Sequence, residues 1–174
     1  KSYSSLNFGG LNLLDTFSAL MVKTADRKGI ALRNKEYFEQ ILKSFEENSY
    51  ITIATLNVDE RLRVIEHEMQ KDPTNPKLRE EYDLLYPNKG NNALPLAGTL
   101  TIISGNASEN LYAGMDDTYK HYQAPLLTWY ETAKHAFEQG AITHNLGGVE
   151  TEHAGPLYNF KNKFKPRIES LIGE

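Results

Sequence analysis

Apolar residues change their spacing several times along this 174-residue chain, and that alternation admits only a fold that mixes helices with strands. Leu13, Phe17, Leu20, Met21 and Thr24 recur at steps of three and four, the stripe of an amphipathic helix. Gly29 closes that helix, with Arg27 and Lys28 in its last turn, where cations suit the helix dipole. A second helix begins at Asn34, whose side chain can cap it, and carries Tyr37, Phe38, Ile41, Leu42 and Phe45 on one side. Residues 50–56 are instead β-branched and alternate with a period of two, which predicts a strand.

Val58, Leu62, Ile65 and Met69 then return at 4-3-4 spacing, a short coiled-coil-like seam. Asp72-Pro73-Thr74-Asn75-Pro76 interrupts it, with Asn75 placed to cap the next helix and Pro76 at its first position. Leu78, Tyr82 and Leu85 continue the seam, so residues 58–87 read as a helical hairpin closed by Pro87 and the loop 88–92. Strands follow at 94–104 and 110–113 around a Gly105-Asn106 turn. Pro125 opens a helix with Leu126, Tyr130, Ala133 and Phe137 as its expected buried stripe, and Gly140 ends it. Residues 141–146 predict a strand, 157–164 a short helix and 166–172 a last strand; the polar first ten residues read as a lead-in or short strand. Together these elements predict an α/β (α+β) fold in a single domain, residues 1–174, with the hairpin inserted at about 58–87.

With 40% hydrophobic residues, ten tyrosines and seven phenylalanines, the chain has enough apolar surface for a core and is not of disordered composition. A net charge of −4 argues against a protein that coats nucleic acid, while leaving room for a local basic patch. The absence of cysteine removes disulfides, thiolate nucleophiles and cysteine-based zinc sites together, and is compatible with a reducing cytosol. No apolar run approaches the roughly 20 residues of a spanning helix. Because the first residue is Lys1 rather than Met, the chain is expected to be a piece of a longer protein. His67, His121, His135, His144 and His153 lack ligand spacing, so no metal is expected. No phosphate-binding loop, dinucleotide turn or nucleophile elbow occurs either, and no cofactor is expected.

What single motifs do not provide, an ordered series does. "TADRKGIALRNKEYF" (24–38) precedes a strand and the hairpin; "LPLAGTLTI" (94–102), "LYAGMDDTYKHYQAPLLTWYETAKHAFEQG" (111–140), "HNLGGVE" (144–150) and "LYNFKNKF" (157–164) follow. The series, from Leu13 to Glu174, resembles the FemABX family of aminoacyl-tRNA-dependent peptidyltransferases. The resemblance implies a Gcn5-related acetyltransferase-like domain, a mixed sheet flanked by helices, and specifically the C-terminal half of a two-domain transferase. It implies transfer of an amino acid from aminoacyl-tRNA to the side-chain amine of a peptidoglycan stem peptide. Its partners would be the tRNA donor, a UDP-linked or lipid-linked muropeptide precursor and a separate N-terminal domain. Such an enzyme would be cytoplasmic, with peripheral membrane contact through a lipid-linked substrate. The stretch 115–124 lacks the glycine loop with which acetyltransferases hold a pyrophosphate, which disfavours acetyl-CoA. A non-catalytic precursor- or partner-binding domain of the same fold is the alternative.

The resemblance also assigns residues. Arg33, Tyr37 and Tyr112 match positions that hold the phosphate-bearing precursor, where an arginine fork suits a diphosphate. By residue type alone, Arg33 is a solvated arginine above a half-buried tyrosine, and Tyr112 a strand tyrosine packing on a neighbour. Phe160 and Lys161 match the transfer centre, where a cation strengthens its hold as an oxyanion develops. The plain alternative is that Lys161 is one lysine among several on a solvated face. Lys161, Lys163, Lys165 and Arg167 fall in a stretch without acids, so Lys163, Lys165 and Arg167 are candidates for contact with tRNA phosphates. No general base is evident; Asp116 and Asp117 serve equally as helix-start residues.

Overall fold

The computed structural model describes residues 4–149 and 154–169. Expectations for residues 1–3, His153 and 170–172 fall outside them. Five strands run β1 (Ser4–Gly9), β2 (Ser49–Leu56), β3 (Leu94–Ser104), β4 (Ala107–Met115) and β5 (Thr143–Asn145), side by side in chain order among the described residues. Neighbours are antiparallel except β4 and β5, which run parallel. Gly105 turns β3 into β4 with φ +58, the left-handed conformation that the first position of a two-residue hairpin demands. Among the described residues six α-helices occur: α1 (Leu14–Lys28), α2 (Lys35–Phe45), α3 (Val58–Lys71), α4 (Pro76–Leu85), α5 (Ala124–Glu138) and α6 (Gly155–Lys161).

Local signals place the helix ends. The Asn34 side chain accepts from the Tyr37 N–H and that of Asn75 from the Lys77 N–H, each satisfying a donor that the first turn would otherwise leave open. Gly29 ends α1 at φ +63. On one face of the sheet, Phe17, Leu20, Phe38 and Leu42 of α1 and α2 bury against Ile51, Ile53 and Leu100. Each such side chain contributes about 1.5–3 kcal/mol of burial. α1 crosses at Gly98 and Gly114, paired across β3 and β4; a Cβ on Gly114 would stand 2.9 Å from the Leu20 carbonyl. Only glycine admits that approach.

The hairpin of α3 and α4 forms as expected, and its base belongs to the core. Val58, Leu62, Ile65 and Leu85 pack with Leu56, Leu94 and other residues at one end of the sheet. Arg61 spans the two helices with paired bonds of 2.7 Å to both oxygens of Glu81, which also accepts from the Tyr122 hydroxyl.

Two expectations are corrected. In α5 the buried residues are Ala124, Thr128, Trp129, Thr132 and Ala136, whereas Tyr130 and Phe137 are exposed and Leu126 and Ala133 half-buried. The sheet face beneath α5 is polar, lined by Thr52, Thr99 and Thr101, all fully buried. Thr132 bonds Thr99 Oγ1 at 2.8 Å, and its carbonyl accepts from the Tyr50 hydroxyl at 2.8 Å. A threonine face therefore fits that surface better than the apolar stripe does. Burial pushes the Tyr50 phenol up to about 12. Residues 166–169 carry no strand, with Arg167 instead paired to Glu169.

Candidate functional site

β5 pairs with β4 over only three positions, Ala107–Thr143, Ser108–His144 and Glu109–Asn145. Beyond the last pair the two chains part, and β4 continues to Met115 without β5 beside it. This fork positions the candidate residues. Tyr112 on β4 and Gly148 in the loop after β5 each stand three residues beyond Glu109–Asn145.

On the α1–α2 face, the structure brings Arg33, Tyr37 and Tyr112 together. The Arg33 guanidinium carbon lies 5.2 Å from the centre of the Tyr37 ring, a cation–π contact. The Tyr37 and Tyr112 rings meet edge to face at 6.1 Å, and the Tyr112 hydroxyl donates weakly to that of Tyr37 at 3.4 Å. That bond, together with burial, raises the Tyr112 phenol above its ordinary value, against the pull of Arg33. The two hydroxyls are hydrogen-bonding groups beside an exposed arginine placed before the first turn of α2. Such a set can bind a phosphate while its rings offer an apolar wall.

Lys161 sits on the other face, 6% exposed, and is not one of a row of solvated lysines. It ends α6; its Nζ donates to the Gly148 carbonyl at 2.6 Å and lies 5.9 Å from the Trp129 ring centre. Phe160 meets Trp129 edge-on at 5.1 Å, and Phe164 stacks on the same indole at 6.3 Å. Gly147 completes the seat, because its φ is +77 and a Cβ there would come 3.5 Å from the Lys161 Nζ. Lys163 and Lys165 are exposed, as candidates for phosphate contact must be, whereas the charge of Arg167 is partly answered by Glu169.

The two groups thus flank the fork from opposite faces of the sheet. Asp116 is no base: burial would raise its pKa, but Lys23 and Thr118 bond its carboxylate and hold it below the ordinary value of 3.8. Asp117 is engaged by Arg27 and Lys120. No group of three or more potential metal-ligating side chains occurs among the described residues. Sequence reasoning missed Trp129, the indole around which Phe160, Lys161 and Phe164 gather. It also missed His144, whose Nδ1 lies 2.8 Å from Ser108 Oγ and which burial holds at a pKa of about 4. A signal for Trp129 existed, since it is the chain's single tryptophan and sits in one of the quoted stretches.

Comparison with known proteins agrees with this architecture. The solved structure of FemX superposes with a TM-score of 0.66 at 19% identity, over 87% of this chain and 46% of FemX. An aminoglycoside acetyltransferase from an uncultured soil metagenomic sample gives 0.60 at 11% identity, over 99% of this chain and 94% of that one. Both likenesses concern the fold, a Gcn5-related acetyltransferase-like one. In sequence, the chain is 26% identical to a lipid II:glycine glycyltransferase of Staphylococcus haemolyticus, over 92% of this chain and 47% of that protein. The counterpart of Staphylococcus aureus strain USA300 is 24% identical with the same coverage. The chain therefore spans about half the length of the curated relatives it matches. The sequence model of the FemAB family matches residues 5–83 and 74–174, nearly the whole chain, and the protein belongs to that family.

Proposed function

We propose that this chain is the second, acetyltransferase-like half of a transferase that moves an amino acid from aminoacyl-tRNA to the stem-peptide amine of a peptidoglycan precursor. The observation that carries this reading is Lys161, buried beside an aromatic cluster and aimed at the loop that borders the fork. An amine attacking the ester carbonyl gives a tetrahedral intermediate with a negative oxygen. Its collapse forms the amide and expels the ribose hydroxyl, which takes up the proton that the amine gives up. An ammonium fixed beforehand stabilises that oxygen more than it does the neutral ester, which lowers the barrier. Phe160, Phe164 and Trp129 keep water from the ester, and Phe160 offers a ring on which the terminal adenosine can stack.

Arg33, Tyr37 and Tyr112 hold the phosphate-bearing acceptor in this reading. The name of the staphylococcal relatives, lipid II:glycine glycyltransferase, favours a lipid-linked acceptor over a UDP-linked one and glycine as a transferred residue. In this reading contact with a lipid-linked acceptor is peripheral, at the inner face of the membrane; no helix among the described residues is long and apolar enough to cross a membrane. Lys163, Lys165 and Arg167 supply charge for the tRNA. Radiolabelled aminoacyl transfer by the intact protein tests the proposal. Lys161→Met should lower kcat by about 10²–10³-fold, the usual cost of losing one oxyanion donor, with precursor binding retained. Full activity in that variant would remove Lys161 from the chemistry. A non-catalytic binding domain is the second reading, favoured by the tied carboxylate of Asp116, and it predicts precursor binding with no transfer by the intact protein.

A further inference from the structure

β5 is three residues long and hangs on few bonds. The Ile142 and Thr143 N–H groups share the Asn106 carbonyl, at 2.7 and 3.3 Å. Ser108 Oγ donates to the Thr143 carbonyl at 3.1 Å and lies 2.8 Å from His144 Nδ1. With its one proton directed at Thr143, the serine must accept from the ring, so His144 is the neutral Nδ1–H tautomer. Its Nε2 is buried and has no hydrogen-bond partner among the described residues. Asn145 Oδ1 then accepts from the Gly147 N–H at 2.8 Å, and the next residue, Gly148, gives its carbonyl to Lys161.

We propose that Ser108 and His144 are positioning residues for Lys161: their cross-strand bond pins β5 at the root of the fork and so fixes the Gly148 carbonyl that holds the ammonium. The bond lies at the middle of the three strand pairs, where it opposes any slip of β5 along β4. The consequence for turnover rests on the proposed role of Lys161; the placement of Lys161 does not.

Acetylation with limiting acetic anhydride, read by peptide mass spectrometry, reports the access of Lys161 against Lys163 and Lys165 in the same intact protein. Native Lys161 should react slowly. Ser108→Ala, a small change that removes both serine bonds, and His144→Ala, which removes one of them, should each raise its relative rate by at least about tenfold, the effect of losing a single hydrogen bond from a closed local state. His144→Asn, whose amide nitrogen takes the place of Nδ1, should restore protection. The alanine variants should also lose about a hundredfold in kcat, as a displacement of about 1 Å can cause, with KM for the acceptor little changed. Continued slow acetylation of Lys161 in both alanine variants overturns the proposal, whatever their activity. Deprotected Lys161 together with a fully active Lys161→Met enzyme leaves the positioning intact and removes Lys161 from the chemistry instead.

Discussion

Lys161 at 6% exposure and Lys163 and Lys165 in open solvent are the same residue type in different physical situations. A buried ammonium is desolvated and fixed, so it acts on charge that develops beside it. Exposed lysines act through the field they add, and salt screens it. Replacing Lys163 and Lys165 together with Ala should therefore weaken tRNA binding chiefly at low salt, and a plot of log affinity against log salt should lose a slope of about 1 to 2. A slope equal to that of the native protein would overturn the proposed contact of both with tRNA. Arg33 stands between these cases, exposed but stacked on Tyr37. Arg33→Ala should cost about 1.5–3 kcal/mol in calorimetric binding of the precursor, the value of a hydrogen bond to a charged group, and alter kcat little. Unchanged precursor affinity would free Arg33 from the site.

Among the elements, the hairpin shows how a polar network fixes an orientation. Arg61, Glu81 and Tyr122 join α3, α4 and the segment before α5, and the side chains of Arg61 and Glu81 are only 11% and 15% exposed. Burial works to raise the Glu81 pKa, but bonds from Arg61 and Tyr122 override it and hold it below the ordinary 4.5. A depressed carboxylate pKa stabilises the fold fully above pH 4.5, and that part is lost as pH falls through the folded value. Glu81→Gln should flatten this acid limb in denaturant titrations. At neutral pH it should cost about 2–3 kcal/mol, less than the loss of a fully buried pair because Glu68 stays 3.7 Å from Arg61. An acid limb as steep as that of the native protein would show that the pair carries no pH-dependent stability. α5 makes the complementary point, since its Thr132 bonds to the sheet while Tyr130 and Phe137 face outward.

For the molecule as a whole, the fork separates two groups on opposite faces: Arg33, Tyr37 and Tyr112 on one and the buried Lys161 on the other. In the proposed reaction a substrate amine and a tRNA ester would meet across it, and holding reactants in register can contribute about 7–11 kcal/mol of a barrier. Matching about half the length of its relatives, this chain alone should lack part of that register. It should melt cooperatively, since two apolar clusters and a continuous sheet suffice for folding, yet transfer far more slowly than the full-length protein. Transfer by the 174-residue chain near the full-length rate would place the whole active site within these residues.

What the sequence determined by itself is what neighbours within about four residues can specify. Asn34, Asn75 and Gly29 set helix ends because their effects are confined to one turn, and Val58 to Leu85 set the hairpin because each seam is a local stripe. The ordered motifs carried Arg33, Tyr37, Tyr112, Phe160 and Lys161, residues 128 positions apart at their extremes, without revealing that two faces of a sheet separate them. Tertiary structure decided the rest. Which side of α5 is buried depends on Tyr50 in β2 and Thr99 in β3, an interaction with no trace in the helix's own period. The burial of Lys161 depends on Trp129 and Gly148, and the fork on where β5 stops pairing with β4. These are contacts between distant segments, and their free energy exists only once the chain has folded around them.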